Sequence, residues 1–182
     1  MSRFPERPHK ALVVVDVQHE IIDPLYRRDE VVDVIGRLVD RARAAGEPVV
    51  WIQHSDEDMP IGSPQWEYVP ELTMREDEPL VHKVHPDAFE DTELDDVLRE
   101  VGVGEVVIVG AYSDACVRAT LHGAFGRGYD TTLVADGHTT PDRTDIGGPT
   151  APQTIALTNR YWANHTGAGR VARVVPSGEL EL

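Results

Sequence analysis

Ala11–Val17 reads ALVVVDV, an apolar and mostly β-branched run broken once, by Asp16. A half-solvated strand alternates apolar and polar residues, whereas a run like this suits a strand covered on both faces, as in a parallel sheet. Outward from it, Val31, Ile35, Leu38, Ala42 and Ala45 recur at helical spacing, with Asp29 as the expected cap and Gly46 as the stop. Val49–His54 (VVWIQH) reads as a second strand and Pro79–Val84 as a third. Thr92–Gly102 (TELDDVLREVG) is a helix with a Thr cap, early acids and a terminal glycine. Glu105–Gly110 is a fourth strand, followed by a helix from about Asp114 to Gly126. Tyr129–Ala135 is a fifth strand, Pro152–Ala163 a last helix and Val171–Val175 a sixth strand. This alternation predicts one α/β domain over residues 1–182, a mostly parallel six-stranded sheet with helices on both faces. Ligands of such sheets bind outside the carboxyl ends of the strands.

The 182 residues carry 32 Asp plus Glu against 17 Lys plus Arg, a net charge of -15 that argues against a nucleic-acid or anionic-membrane binder. No apolar run approaches the roughly 18 residues that span a bilayer. The polar start MSRFPERPHK leads straight into a strand, so no signal peptide and a cytoplasmic location are expected. Cys116 is the only cysteine, which excludes an internal disulfide framework. Residues 55–78 are rich in acids and prolines, and residues 136–151 in Gly, Pro and Thr. Both read as long loops, and loops of that length in a compact domain usually wall or cover a pocket.

Three residues at strand ends stand out. Asp16 is a lone carboxylate in an apolar strand, costly unless paired or hydrogen-bonded; alone, it reads equally as a structural turn cap. Lys83 is one of two lysines in a chain with 15 arginines, and a compact ammonium with a movable pKa does what a guanidinium cannot. Taken singly, it also reads as an exposed loop-edge lysine. Cys116 stands in the first turn of a helix, where the dipole favours a thiolate. A thiol of pKa about 8.5 is about 3% ionised at pH 7, and lowering the pKa to about 6 raises that to roughly 90%. Alone, it is equally a buried, inert small hydrophobe. Together, the ends of the first, third and fourth strands bring an acid, a cation and a thiol to one edge, the components of covalent catalysis.

The motifs ALVVVDVQ (11–18), VVWIQH (49–54), KVHPDAFEDTEL (83–94) and VVIVGAYSDACVRATLHGAFGRGYDTTLVADG (106–137) give the chain a resemblance to the isochorismatase-like cysteine hydrolases, which include nicotinamidases and N-carbamoylsarcosine amidases. The resemblance runs from Ala11 to about Val175. It implies a Rossmann-like three-layer sandwich and places the family's catalytic triad on Asp16, Lys83 and Cys116. It further implies a cis peptide between Ala111 and Tyr112, and an oxyanion hole from the backbone amides of Tyr112 and Cys116. The implied reaction is hydrolysis of a C–N bond in a small amide, imide or ureido compound through a thioester. Isochorismate hydrolysis, and a catalytically silent binding module, are the alternatives. Relatives are commonly dimers or tetramers, so a homo-oligomer is expected.

Family nicotinamidases bind zinc through an Asp-x-His segment after the second strand. Here that place reads Ile52-Gln53-His54, without the acid, so neither a metal nor another cofactor is expected. Gln18, His54 and Trp66 are candidate substrate contacts. Each has a plainer reading: a solvated strand end, a satisfied polar group, or an aromatic that pins its loop to the body. Asp136 reads as structural. Gln153 stands where many relatives carry a histidine.

Overall fold

The computed structural model describes residues 3–182; Met1 and Ser2, the beginning of the polar start, lie outside the described residues. The apolar run that opens the chain forms β1 (His9–Val15), buried from Ala11 onward. It lies between two parallel neighbours, β2 (Val49–His54) and β4 (Val103–Ala111). Next to β2 stands β3 (Leu80–Lys83), and next to β4 stands β5 (Asp130–Thr139), then β7 (Arg170–Val175) and β6 (Thr166–Gly167). The sheet order is β3-β2-β1-β4-β5-β7-β6, parallel throughout except for the β6–β7 pair.

The β-branched side chains of the central strands alternate between two layers. Leu12, Val14, Trp51, Val107 and Val109 pack with Ile35 and Leu38 of α2 (Arg28–Ala45). Val13, Val15, Ile52 and Ile108 pack on the opposite face. There they meet Leu98 of α3 (Leu94–Glu100), Leu121 of α4 (Cys116–Arg127) and Trp162 of α5 (Ala151–Ala163). Burying a Val, Leu or Ile side chain contributes about 1.5–3 kcal/mol, and these strands bury nearly every residue. That is why the pattern is continuous rather than alternating.

The three-layer α/β architecture is as the sequence implies, with seven strands rather than six. The extra one is the two-residue β6, which folds back on β7 across Gly169, and a segment so short leaves no periodic signature. The larger departure is β5. Residues 136–139, expected in a loop, remain in the strand to Thr139, past an irregularity that pairs Ile108 with Leu133 and Gly110 with His138. Helix starts also move. Asp29 lies in the first turn of α2, not at its cap, and α4 begins at Cys116 rather than at Asp114. Glu93 occupies the cap position of α3, although Thr92 Oγ1 still accepts from the Leu94 N–H at 3.3 Å. Thr150 and Gln153 form a reciprocal capping box at α5. A short α1 (His19–Ile22) and a 3-10 turn (Thr144–Ile146) had no sequence signal.

Strand order reverses direction between β1 and β4, the place where doubly wound sheets open a crevice at their carboxyl edge. Asp16 directly follows β1, and Cys116 follows β4 by one tight turn. The two strands approach closely there. Gly110 has φ +118°, and a Cβ on it would stand 2.0 Å from the Val15 carbonyl oxygen. Gly110→Ala is therefore expected to destabilise the fold by ~3 kcal/mol or more, from combined backbone strain and overlap, read as a lower urea midpoint.

Candidate active site

β1, β3 and the β4–α4 turn each deliver one side chain to the same point. Asp16 is fully buried and adopts φ +53°, a left-handed conformation uncommon outside glycine. Its N–H donates to the Ile52 carbonyl at 3.0 Å, which fixes the residue at the end of the strand. Lys83, the last residue of β3, reaches past the end of β2 to place Nζ 2.7 Å from Asp16 Oδ2. Neither side chain is exposed at all. The same ammonium donates to Cys116 Sγ at 3.3 Å and faces His54 Nδ1 at 3.4 Å. Asp16 Oδ1, also buried, has no hydrogen-bond partner among the described residues.

Burial alone pulls the Lys83 pKa down, but the Asp16 charge and the hydrogen bonds to Asp16 and Cys116 outweigh it and leave it raised, so the ammonium holds its proton. Cys116 moves the other way from the thiolate expected at a helix start. Burial and then the Asp16 charge push its thiol up to about 12, against the smaller pull of Lys83. The resting site is thus carboxylate, ammonium and thiol. The sequence shows the helix start and the nearby cation but not the desolvation that overrides both.

The turn before Cys116 has a cis peptide at Ala111–Tyr112. The Tyr112 carbonyl accepts from the N–H groups of Ala115 and Val117, both at 3.1 Å. The N–H groups of Tyr112 and Cys116 donate to no group among the described residues. Two donors are thereby left open in the turn that carries the thiol, that of Cys116 because the first amides of a helix lack intrahelical partners.

The candidate substrate contacts divide. His54 stands beside Lys83, with Nε2 3.4 Å from Asp56 Oδ2. Gln18 is fully buried and uses both ends of its amide as a brace. It donates to the carbonyls of His54 (2.9 Å) and Trp66 (2.8 Å) and accepts from the His54 N–H (2.8 Å). Trp66 stacks on His82, ring centroids 5.4 Å apart, and strand alternation turns His82 away from Lys83. The structure therefore does not bring Gln18 or Trp66 to the thiol; both fasten residues 55–78 to the sheet. Tyr68 fastens the same loop beneath Asp16, its hydroxyl within donating reach of the carbonyls of Ile52 (2.7 Å) and Val14 (2.9 Å), which share its one proton. Asp136 accepts from the N–H and hydroxyl of Ser177. Among the described residues, no group of three or more His, Cys, Asp or Glu is placed to hold a metal ion.

Sequence reasoning missed a buried polar chain behind the turn. Ser113 Oγ lies 2.7 Å from His138 Nδ1, and His138 Nε2 lies 3.0 Å from Asn159 Oδ1. Asn159 in turn donates to the Ala135 carbonyl at 3.0 Å. A histidine inside the segment read as a loop was the available signal.

The family model for the isochorismatase domain matches residues 10–147, which carry all three converging residues. The chain belongs to the isochorismatase-like cysteine hydrolase family. It is 34% identical over 165 residues to streptothricin hydrolase of Streptomyces noursei, spanning 86% of this chain and 66% of that protein. It is 30% identical to the ureidoacrylate amidohydrolase of Methylobacterium radiotolerans, over 91% of this chain and 80% of the relative. An isochorismatase structure from Pseudomonas putida superposes with a TM-score of 0.84 at 29% identity, covering 93% of this chain and 89% of that one.

Two outcomes follow from the electrostatics of this isochorismatase-family site. Alkylation of Cys116 by iodoacetamide is expected to be slow at pH 7 and to climb about tenfold per pH unit through pH 9, because the thiolate fraction rises that steeply below a pKa of about 12. A plateau already reached at pH 7 would contradict it. Lys83→Met removes the counter-charge of Asp16, and leaving a buried carboxylate unpaired costs about 3–5 kcal/mol, measurable by chemical denaturation.

Proposed function

We propose that this chain hydrolyses a C–N bond in a small amide, imide or ureido compound through a thioester on Cys116. The observation that supports this reading most directly is the single buried ammonium placed 2.7 Å from a carboxylate and 3.3 Å from the thiol. The amidohydrolase and hydrolase names of its relatives agree with it.

In the proposed reaction Asp16 Oδ1, which has no other partner, accepts the Cys116 proton as the sulfur attacks the carbonyl carbon. A thiol whose pKa is pushed up to about 12 does not ionise beforehand, so proton transfer accompanies C–S bond formation. The carbonyl π electrons move onto oxygen, and the oxyanion takes the open N–H groups of Tyr112 and Cys116. Removing one such donor typically costs about 10²–10³ in rate. The tetrahedral species collapses by C–N cleavage, and Asp16 passes its proton to the departing nitrogen. Asp16 then takes a proton from water as the hydroxyl adds to the thioester, and returns it to the sulfur when the acid leaves. Lys83 keeps its charge throughout, facing the Asp16 carboxylate at rest and the sulfur as it departs from the acid.

Ammonia or amine release across a panel of small amides, imides and ureido acids, run beside isochorismate consumption, tests the assignment. Turnover of a C–N substrate is expected, with Cys116→Ala and Asp16→Asn each at least 10³-fold slower. An enzyme that consumes isochorismate equally well with and without the thiol would overturn the proposal.

A further inference from the structure

The turn between β4 and α4 carries the two open amides, and little in its own sequence holds it. Its side chains are anchored instead from the far end of β5. Ser113 N–H donates to the Thr139 carbonyl at 2.9 Å, and Thr140 Oγ1 donates to Asp114 Oδ1 at 2.5 Å. Ser113 Oγ meets His138 Nδ1 at 2.7 Å, and Ser113 and His138 are both buried.

The direction of every bond in this last contact is set by its remote end. Asn159 Nδ2 donates to the Ala135 carbonyl, so Oδ1 faces His138 and accepts. His138 therefore carries its proton on Nε2, leaving Nδ1 as the acceptor of the Ser113 hydroxyl. Burial holds the imidazole neutral by lowering its pKa, against the opposing effects of Asn159 and Asp136. Tyr26 and Arg27, on the segment before α2, border the same cleft as His138, with Asp136 on β5.

We infer that His138 and Asn159 are positioning residues: through Ser113 they fix the turn on which the Tyr112 and Cys116 amides are aimed. The inference rests on the oxyanion role proposed for those amides. A neutral histidine with a fixed tautomer is a rigid spacer, reaching from α5 through β5 to the turn at Ser113, beside the separate brace that Thr140 gives Asp114. Among the described residues the contacts of His138 are Ser113 and Asn159 and not the thiol, so it acts through Ser113 and not on the substrate. Misplacing the amides impairs the addition step, which builds negative charge on oxygen, but not alkylation, in which the sulfur displaces iodide from a saturated carbon and no oxyanion forms.

Ser113→Ala and Asn159→Ala separate these effects. Both are expected to lower kcat for the amide substrate tenfold or more with KM within twofold, while iodoacetamide alkylation of Cys116 stays within twofold of the parent. Unchanged kcat would overturn the inference. So would alkylation, turnover and melting temperature falling together, which marks general structural support. Amide hydrogen exchange supplies a substrate-free readout that stands even if the parent enzyme turns over none of the C–N panel. Exchange over residues 112–116 is expected to rise fivefold or more in both variants at unchanged melting temperature, and an unaltered rate there counts against the positioning role.

Discussion

Everything at the carboxyl edge of this sheet is arranged around one buried ion pair, Lys83 with Asp16 at 2.7 Å. The two residues lie on strands that are not neighbours, because β2 runs between β3 and β1. Adjacent strands are about 4.8 Å apart, so the partners must bridge roughly 10 Å between backbones. A lysine side chain from β3 and an aspartate that turns inward at φ +53° close that gap. An arginine would fit poorly, since its planar fork asks for several acceptors at once. A pair of this kind contributes little net stability, because desolvation opposes attraction, but breaking it is costly. Its presence fixes the ends of three strands relative to one another, and Cys116 is placed against its positive end.

The pair also governs the chemistry open to the thiol. In the resting state the three groups sum to zero charge, as carboxylate, ammonium and neutral sulfur. In the proposed step, moving the proton from sulfur to Asp16 as the C–S bond forms leaves the net charge unchanged and passes the negative charge from the carboxylate to the substrate oxygen. In a buried site a step that conserves net charge avoids the large penalty of creating an uncompensated ion. A thiol held protonated by burial is therefore compatible with a nucleophilic role, provided the base is adjacent and the cation is shared. It also protects a lone cysteine, since oxidation and alkylation act on the thiolate.

Much of this was legible in the residues. ALVVVDV and EVVIVG suit buried strands, and the order of strands and helices brought Asp16, Lys83 and Cys116 to one edge of the expected sheet. The unread features share a cause: each depends on burial or on partners distant in sequence. The raised thiol pKa follows from desolvation, which no local pattern encodes. Gln18 and Trp66 were legible as polar and aromatic groups near the site, but their partners lie 36 and 16 residues away, and those contacts turn them into fasteners. His138 sits in a segment whose Thr, Gly and Pro content mimics a loop, and Asn159 in the last helix, where nothing local names its partner. Only the pairing of β5 with the end of β4 shows that residues 136–139 are strand.

The acidic surplus acquires meaning at the same point. With 32 acidic residues, the chain could have filled its interior edge with competing carboxylates. Instead, the buried carboxylates among the described residues are Asp16 and Asp130. Asp130 is committed, accepting from the Val171 N–H at 2.7 Å to hold β7 against β5. Others at the rim are likewise spent: Asp114 on Thr140 and Arg143, and Asp56 on the Met59 N–H and His54. That leaves Asp16 Oδ1 as a buried carboxylate oxygen without a partner. An unsatisfied acceptor in the interior costs about 1–3 kcal/mol, so folding alone does not favour one. A proton arriving on that oxygen from Cys116 relieves the deficit during the reaction. The carboxylate oxygen that the fold leaves uncompensated is thus the one that the chemistry needs open.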